Sequence, residues 1–259
     1  MIELKILEKT YIVARYSSVK SLRSLLEKEL EQLDIKILNI DFEKDKYAMI
    51  KFEGPDETFA KNYLIERHGT QRNIEEIEIG DKVFGRFIDV GKVNFGFFVD
   101  IGIETSTKGI EALYPLFELR NQLFQGKGIA LQKIVTAYGI VENLPMFFEI
   151  TKKQVIGSKI WVKLSEESLQ WLESPIKEKK EALIVCGSSR RAIKQALIQT
   201  GHFEDIEEID QCGLLEYRLI CKKGTRADGI IPEIGGFLGR AKIGAQIPKR
   251  VKNLVQDKK

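Results

Sequence analysis

Apolar and polar residues alternate at the start of the chain, with Ile2, Leu4 and Ile6 on one face, and Tyr11-Ile12-Val13 follows, so a strand or two is predicted. Ser17-Ser18 then offers a cap before Val19, Leu22, Leu25, Leu26, Leu30 and Leu33, a spacing that draws one apolar stripe along a helix. Ile35 to Ile40 and Tyr47 to Phe52 read as two strands around the polar turn Glu43-Lys44-Asp45-Lys46. Pro55 opens a second helix with Phe59, Tyr63 and Leu64 on one face. The order is β-α-β-β-α.

A similar order returns near the other end. Ala182 to Val185 is a buried strand, and Ser188-Ser189 caps a helix carrying Ala192, Ile193, Ala196 and Leu197. Ile206 to Ile209 and Leu214 to Cys221 read as strands, Gly235 to Gly244 as a glycine-rich piece, and Lys249 to Lys259 as a frayed, solvated end. The expected fold class is α+β, a central barrel flanked by two small β-α-β-β units. Those units either pack together as one split domain or stand as two. The expected divisions are 1–75, 76–174 and 175–259.

The middle has a different texture. Val83, Phe84, Phe87, Ile88 and Val90 are strand formers, with Gly85 and Gly91 where a barrel strand must bend. The next strand is Phe95-Gly96-Phe97-Phe98-Val99-Asp100-Ile101-Gly102. In a period-two strand Phe95, Phe97 and Val99 share one face and Phe98 and Asp100 the other, so one set of rings is core.

These two strands resemble the opening hairpin of the S-one RNA-binding domain, a barrel of the OB type. The family pattern is aromatic-Gly-Ala-Phe-Val-Asp-hydrophobic-Gly, with Phe97 here at the alanine. Lys108-Gly109-Ile110-Glu111-Ala112-Leu113 resembles the family's third strand and Val155 to Leu164 its last. The resemblance covers roughly a third of the chain and implies an OB barrel that holds single-stranded RNA, with Phe95 and Phe98 at the stacking positions. Arg86 and Lys92 on the hairpin, and Arg120 and Lys127 in the long connection, are then candidate phosphate contacts. The chain departs from the family at Ala112, where a histidine is usual, and in the length of the piece from Tyr114 to Phe148.

Charge sharpens the picture. The net charge is +3. Residues 76–174 carry −2 and residues 175–259 carry +6, so an anionic partner is expected mainly at the C-terminal end. Two stretches there are candidates. In Val185-Cys186-Gly187-Ser188-Ser189-Arg190-Arg191 a strand turns into a helix, whose free N–H groups and dipole favour an anion beside Arg190 and Arg191. The other reading is an ordinary serine cap with solvated arginines. Lys222, Lys223, Arg226, Arg240 and Lys242 lie among glycines that let a backbone approach phosphates closely; the other reading is a flexible basic loop.

Cys186, Cys212 and Cys221 are widely spaced and set in apolar segments, which argues against a disulfide framework or a zinc knuckle. No metal or cofactor is expected. No apolar run approaches the roughly 20 residues that span a bilayer, and the first residues lack a signal-peptide core, so a cytoplasmic protein without a membrane partner is expected.

The C-terminal tokens Gly213-Leu214-Leu215-Glu216, Cys221-Lys222-Lys223-Gly224-Thr225 and Gly229-Ile230-Ile231-Pro232, taken with the S-one-like centre, resemble an uncharacterised archaeal domain-of-unknown-function family. The function expected first is non-catalytic RNA binding, to single-stranded or structured RNA, in a ribosomal or RNA-processing setting. A protein–protein adaptor using the barrel is the alternative. An enzyme acting on RNA or nucleotides ranks last: Asp89, Asp100, Asp228 and Glu233 are available, but no pair has motif spacing.

Overall fold

The computed structural model describes residues 1–10, 15–104 and 109–256. The architecture is α+β, a closed five-stranded barrel flanked by two further sheets. In the N-terminal unit β1 (Ile2–Lys9) and β2 (Lys36–Phe42) pair antiparallel on either side of β3 (Tyr47–Glu53). The helices α1 (Arg15–Glu29) and α2 (Glu57–His68) share one core with that sheet. Leu22, Leu26, Ala60 and Leu64 meet Leu4, Ile6, Ile50 and Phe52 there.

Two expectations shift. α1 starts at Arg15, so Ser18 is a buried helical residue whose hydroxyl accepts from Thr10 at 2.8 Å rather than a cap. The apolar face of α2 runs through Ala60, Leu64 and His68, one helical turn apart, which leaves Phe59 exposed. Tyr11-Ile12-Val13 and Lys108 lie outside the described residues.

The barrel strands are β5 (Lys82–Ile88), β6 (Gly96–Glu104), β7 (Gly109–Pro115), β8 (Pro145–Gln154) and β9 (Lys159–Leu164), numbered after the short β4 (Arg72–Asn73), which lies parallel to β6. Around the barrel the order is β5–β6–β7–β9–β8 and back to β5. β7 and β9 run parallel; the other barrel pairings are antiparallel. The helices α3 (Leu116–Phe124) and α4 (Leu131–Tyr138) fill the connection from β7 to β8, which gives OB connectivity. Strict alternation sends Phe87, Phe97, Tyr114 and Phe148 inward. Phe87 meets Phe97 and Phe148 edge-on with ring centres 4.9 and 5.4 Å apart. Gly85 is required by that filling: a Cβ there would sit 2.8 Å from Ile101 and 2.9 Å from Val99. Gly102 has φ +69° and lies where a Cβ would come within 2.4 Å of Leu7 in β1.

After α5 (Glu166–Glu178) the C-terminal unit comprises β10 (Ala182–Cys186), α6 (Arg190–Gln199), β11 (Ile206–Gln211), β12 (Glu216–Cys221), α7 (Ala227–Gly235), β13 (Lys242–Gln246) and α8 (Pro248–Gln256). Its sheet is antiparallel in the order β11–β12–β10–β13. The glycine-rich piece is therefore not one flexible loop, since its last residues form β13 against β10. The tail is also not frayed up to Gln256: α8 turns Val251 and Leu254 onto the barrel's own core. Leu214 and Leu215 are not strand but the turn between β11 and β12, and they are buried in the core of the N-terminal unit.

Candidate nucleic-acid interface

The outer surface of the barrel carries an apolar row. On β6, Phe97 and Val99 are buried and Phe98 faces out. Phe98 pairs with Leu113 of β7, and Leu113 with Trp161 of β9. All three are half-buried and alternate with buried neighbours, so they form one continuous line across three strands. Phe95 precedes Gly96 and so escapes the strand's alternation. It is 56% exposed, and its ring meets Phe98 edge-on with centres 6.0 Å apart. At the other end Lys152 pairs opposite Trp161 and holds its ammonium 4.9 Å from the indole centre. Trp161 and Lys152 were not among the expected site residues. The signal was available for Trp161, because Ile160, Val162 and Leu164 take the inner face and leave it outside. Lys92, on the loop beside Phe95, is exposed and pairs with Asp89 at 2.6 Å.

The expected phosphate contact at Arg86 is overturned by its burial, 1% exposed. Its side chain leaves the barrel outward, but both flanking units cover it. Nη2 lies 2.6 Å from Glu8 and Nη1 3.1 Å from Glu216, and Nε donates to the Leu7 carbonyl at 3.3 Å. Glu8 also accepts from the Leu214 N–H at 3.0 Å and faces His68 Nδ1 at 3.0 Å, while His68 Nε2 is 2.7 Å from Glu29. Burial pulls the His68 imidazole down, but its hydrogen bonds to Glu29 and Glu8 outweigh that and take it up to about 9. Burial likewise raises Glu8, and Arg86 and His68 more than reverse it, holding the carboxyl below its ordinary range. Near this seam Asp100 accepts from the Tyr47 hydroxyl at 2.6 Å and pairs with Lys9, which docks β1 and β3 on the barrel.

Beside the seam the three units enclose a cleft of about 480 Å³, lined among others by Lys28, Arg67, Trp171, Arg190, Asp210 and Cys212. Trp171 donates to Asp210 at 3.0 Å, and the Arg218 guanidinium stacks 4.0 Å from its ring centre. Burial pushes the Cys212 thiol well up, which is opposite to what a reactive thiolate needs. Of the four carboxylates considered for catalysis, Asp89 pairs with Lys92, Asp100 with Lys9 and Asp228 with Arg250, and Glu233 lies 3.2 Å from His202 Nε2.

Residues 3–74, 77–174 and 180–247 match the N-terminal, central and C-terminal domains of DUF2110. The chain belongs to the DUF2110 family. No curated protein matches it in sequence. Among solved structures, an uncharacterized protein from Methanocaldococcus jannaschii is similar at 11% identity, over 35% of this chain and 96% of that one, with a TM-score of 0.23. A chain of the a/eIF2alpha–aDim2p–rRNA complex from Pyrococcus horikoshii is similar at 12% identity, over 48% of this chain and 64% of its own, with a TM-score of 0.26. The intact alpha subunit of aIF2 from Pyrococcus abyssi is similar at 10% identity, over 66% and 97%, with a TM-score of 0.25.

In the DUF2110 chain the turn before α6 is not an open anion cradle. The Gly187 and Ser188 N–H groups donate to the Leu215 carbonyl at 2.9 and 3.1 Å, and the Ser189 hydroxyl accepts from Ala192 N at 3.3 Å. Arg190 and Arg191 are exposed beyond it, Arg190 at the mouth of the three-way cleft. Lys222 and Lys223 follow β12, Lys222 lying 3.6 Å from Glu204. Arg226 pairs with Asp228 at 3.3 Å, Arg240 is exposed, and Lys242 opens β13 opposite Cys186. Arg120 is spent on its own connection, donating from Nε to the Ile129 carbonyl at 2.8 Å, and Lys127 reaches the Val255 carbonyl of α8. Lys92, Phe95 and Phe98 are thus brought together on the barrel, and Lys127 lies against α8. No helix among the described residues is long and apolar enough to cross a membrane.

Proposed function

We propose that the DUF2110 chain is a non-catalytic RNA-binding protein whose barrel holds single-stranded RNA. The observation that carries the reading is the row Phe95–Phe98–Leu113–Trp161, three rings and a leucine on one barrel face with Lys152 at its end. Single strands bind such faces by stacking bases on rings while basic side chains follow the phosphates. Lys92 and Lys152 supply charge at the two ends of the row. A labelled single-stranded RNA of about 12 nucleotides, within the range one OB fold occupies, tests it by anisotropy. Phe98→Ala and Trp161→Ala each weaken binding about 5- to 150-fold, since one stacked base contributes about 1–3 kcal/mol. Binding that is absent at low salt, or indifferent to both substitutions, contradicts it. The adaptor reading draws on the net −2 of residues 76–174, which attracts nucleic acid poorly. It is favoured instead where the same substitutions abolish capture of a defined protein partner and leave RNA affinity unchanged.

A further inference from the structure

The groove between α4 and α8 differs from the other clefts in its charge. It has a volume of about 380 Å³, and no carboxylate lines it. The three-way cleft has Glu29, Glu167 and Asp210 in its wall, and the cleft beside α2 has Glu66. The groove's floor is Ala137 and Leu254, and its rim carries Gln132, Lys133, Arg250 and Asn253. The side-chain amides of Gln132 and Asn253 have no hydrogen-bond partner among the described residues. Lys133, Lys249 and Lys252 have no carboxylate partner there either. Lys127 lies against the end of α8 and adds a further cation. An apolar floor with free amides and a lysine at its rim suits a nucleotide: the base covers the floor, the amides meet its polar edge and Lys133 meets its phosphate, with Lys249 further along α8.

The loop that leads to the barrel row also reaches the groove. A Cβ at Gly91 would lie 3.6 Å from the Gln132 amide. Gly91 is four residues from Phe95, at most about 14 Å of chain. We propose that the α4–α8 groove is a second nucleotide subsite, occupied by the same single RNA strand that crosses Phe95, Phe98 and Trp161. This rests on the barrel reading above and extends it. The long β7–β8 connection, which lengthens the module beyond the family it resembles, then builds half of the added subsite.

The test uses the full chain and two single-stranded RNAs of about 4 and about 12 nucleotides, both within the roughly 4–16 that one OB fold occupies, each with a photoreactive uridine at both ends. Wild type is compared with Gln132→Ala/Asn253→Ala and with Lys133→Glu/Lys249→Glu; all four side chains are exposed, and Arg250 is left in place because it pairs with Asp228. The short RNA is expected to bind all three proteins alike. The long RNA is expected to lose about tenfold in each variant, as the loss of one well-made base contact does, and to crosslink to residues 131–137 or 248–254. Long-RNA affinity unchanged in both variants, with crosslinks confined to β6, β7 and β9, overturns the subsite and leaves the barrel reading standing. Equal losses for both RNAs also overturn it, since they report general charge rather than a second position. Failure of either RNA to bind wild type removes the barrel reading and the subsite together.

Discussion

Arg86 carries its charge between Glu8 and Glu216 where all three side chains are almost wholly buried. Such a group tolerates removal of a single partner badly, because an unpaired buried charge costs about 3–5 kcal/mol. His68 belongs to the same network and gives it a pH dependence. Its folded pKa, about 9, lies above the ordinary 6.5, so the folded state holds the proton more tightly. The stability this adds is fully present below about pH 6.5 and is lost as pH rises through about 9. The urea midpoint of the wild type is expected to fall across that window, whereas a His68→Gln variant starts lower and runs flatter. Equal slopes in the two proteins would show that the imidazole is not held as a cation. Arg86 was legible as a residue of the barrel hairpin, and that much was right. Its burial was not legible, because it depends on β1 and on the β11–β12 turn, segments far away in sequence that close over it. Phe98 and Trp161 obey the same alternation and stay on the open side.

At the scale of elements, the alternating strands were the most readable part. That Phe97 and Phe98 take opposite faces follows from period two alone, and the structure puts Phe97 inward. Phe95 broke the expectation because the strand begins only at Gly96. The elements that were misread are those whose stability comes from contact rather than from local pattern. α8 is a short basic helix that looks like a solvated tail, and it holds because Val251 and Leu254 dock on the barrel core. Leu214 and Leu215 look like the start of a strand, yet they form a turn whose side chains fill the N-terminal core. That turn is a latch between the two flanking units. Leu214→Ala should cost about 2–5 kcal/mol, as deletion of a buried leucine side chain does. Limited proteolysis should then cut the N-terminal unit earlier than the barrel. A variant as resistant as wild type would mean the latch contributes little.

For the molecule as a whole, the C-terminal excess of +6 is not one patch. Arg218 is buried against Trp171, the turn before α6 is filled by Leu215, and Arg226 and Arg250 share Asp228. Arg190, Arg191, Lys223, Arg240 and Lys242 keep no carboxylate partner among the described residues, and neither do Lys249 and Lys252 on α8. On the proposed reading it is the ring row, not the charge, that places RNA on the barrel and its helical insertion, and the three-way cleft is a structural junction. Because the chain has tryptophans only at positions 161 and 171, one on the row and one in that cleft, its own emission distinguishes these places. The most direct measurement is tryptophan fluorescence during titration with single-stranded RNA, in wild type and in Trp161→Phe. Stacking of a base on Trp161 predicts quenching in the wild type that disappears in Trp161→Phe while anisotropy still reports binding. Quenching that persists unchanged in Trp161→Phe, or no quenching at all, would contradict a stacked base on the barrel row.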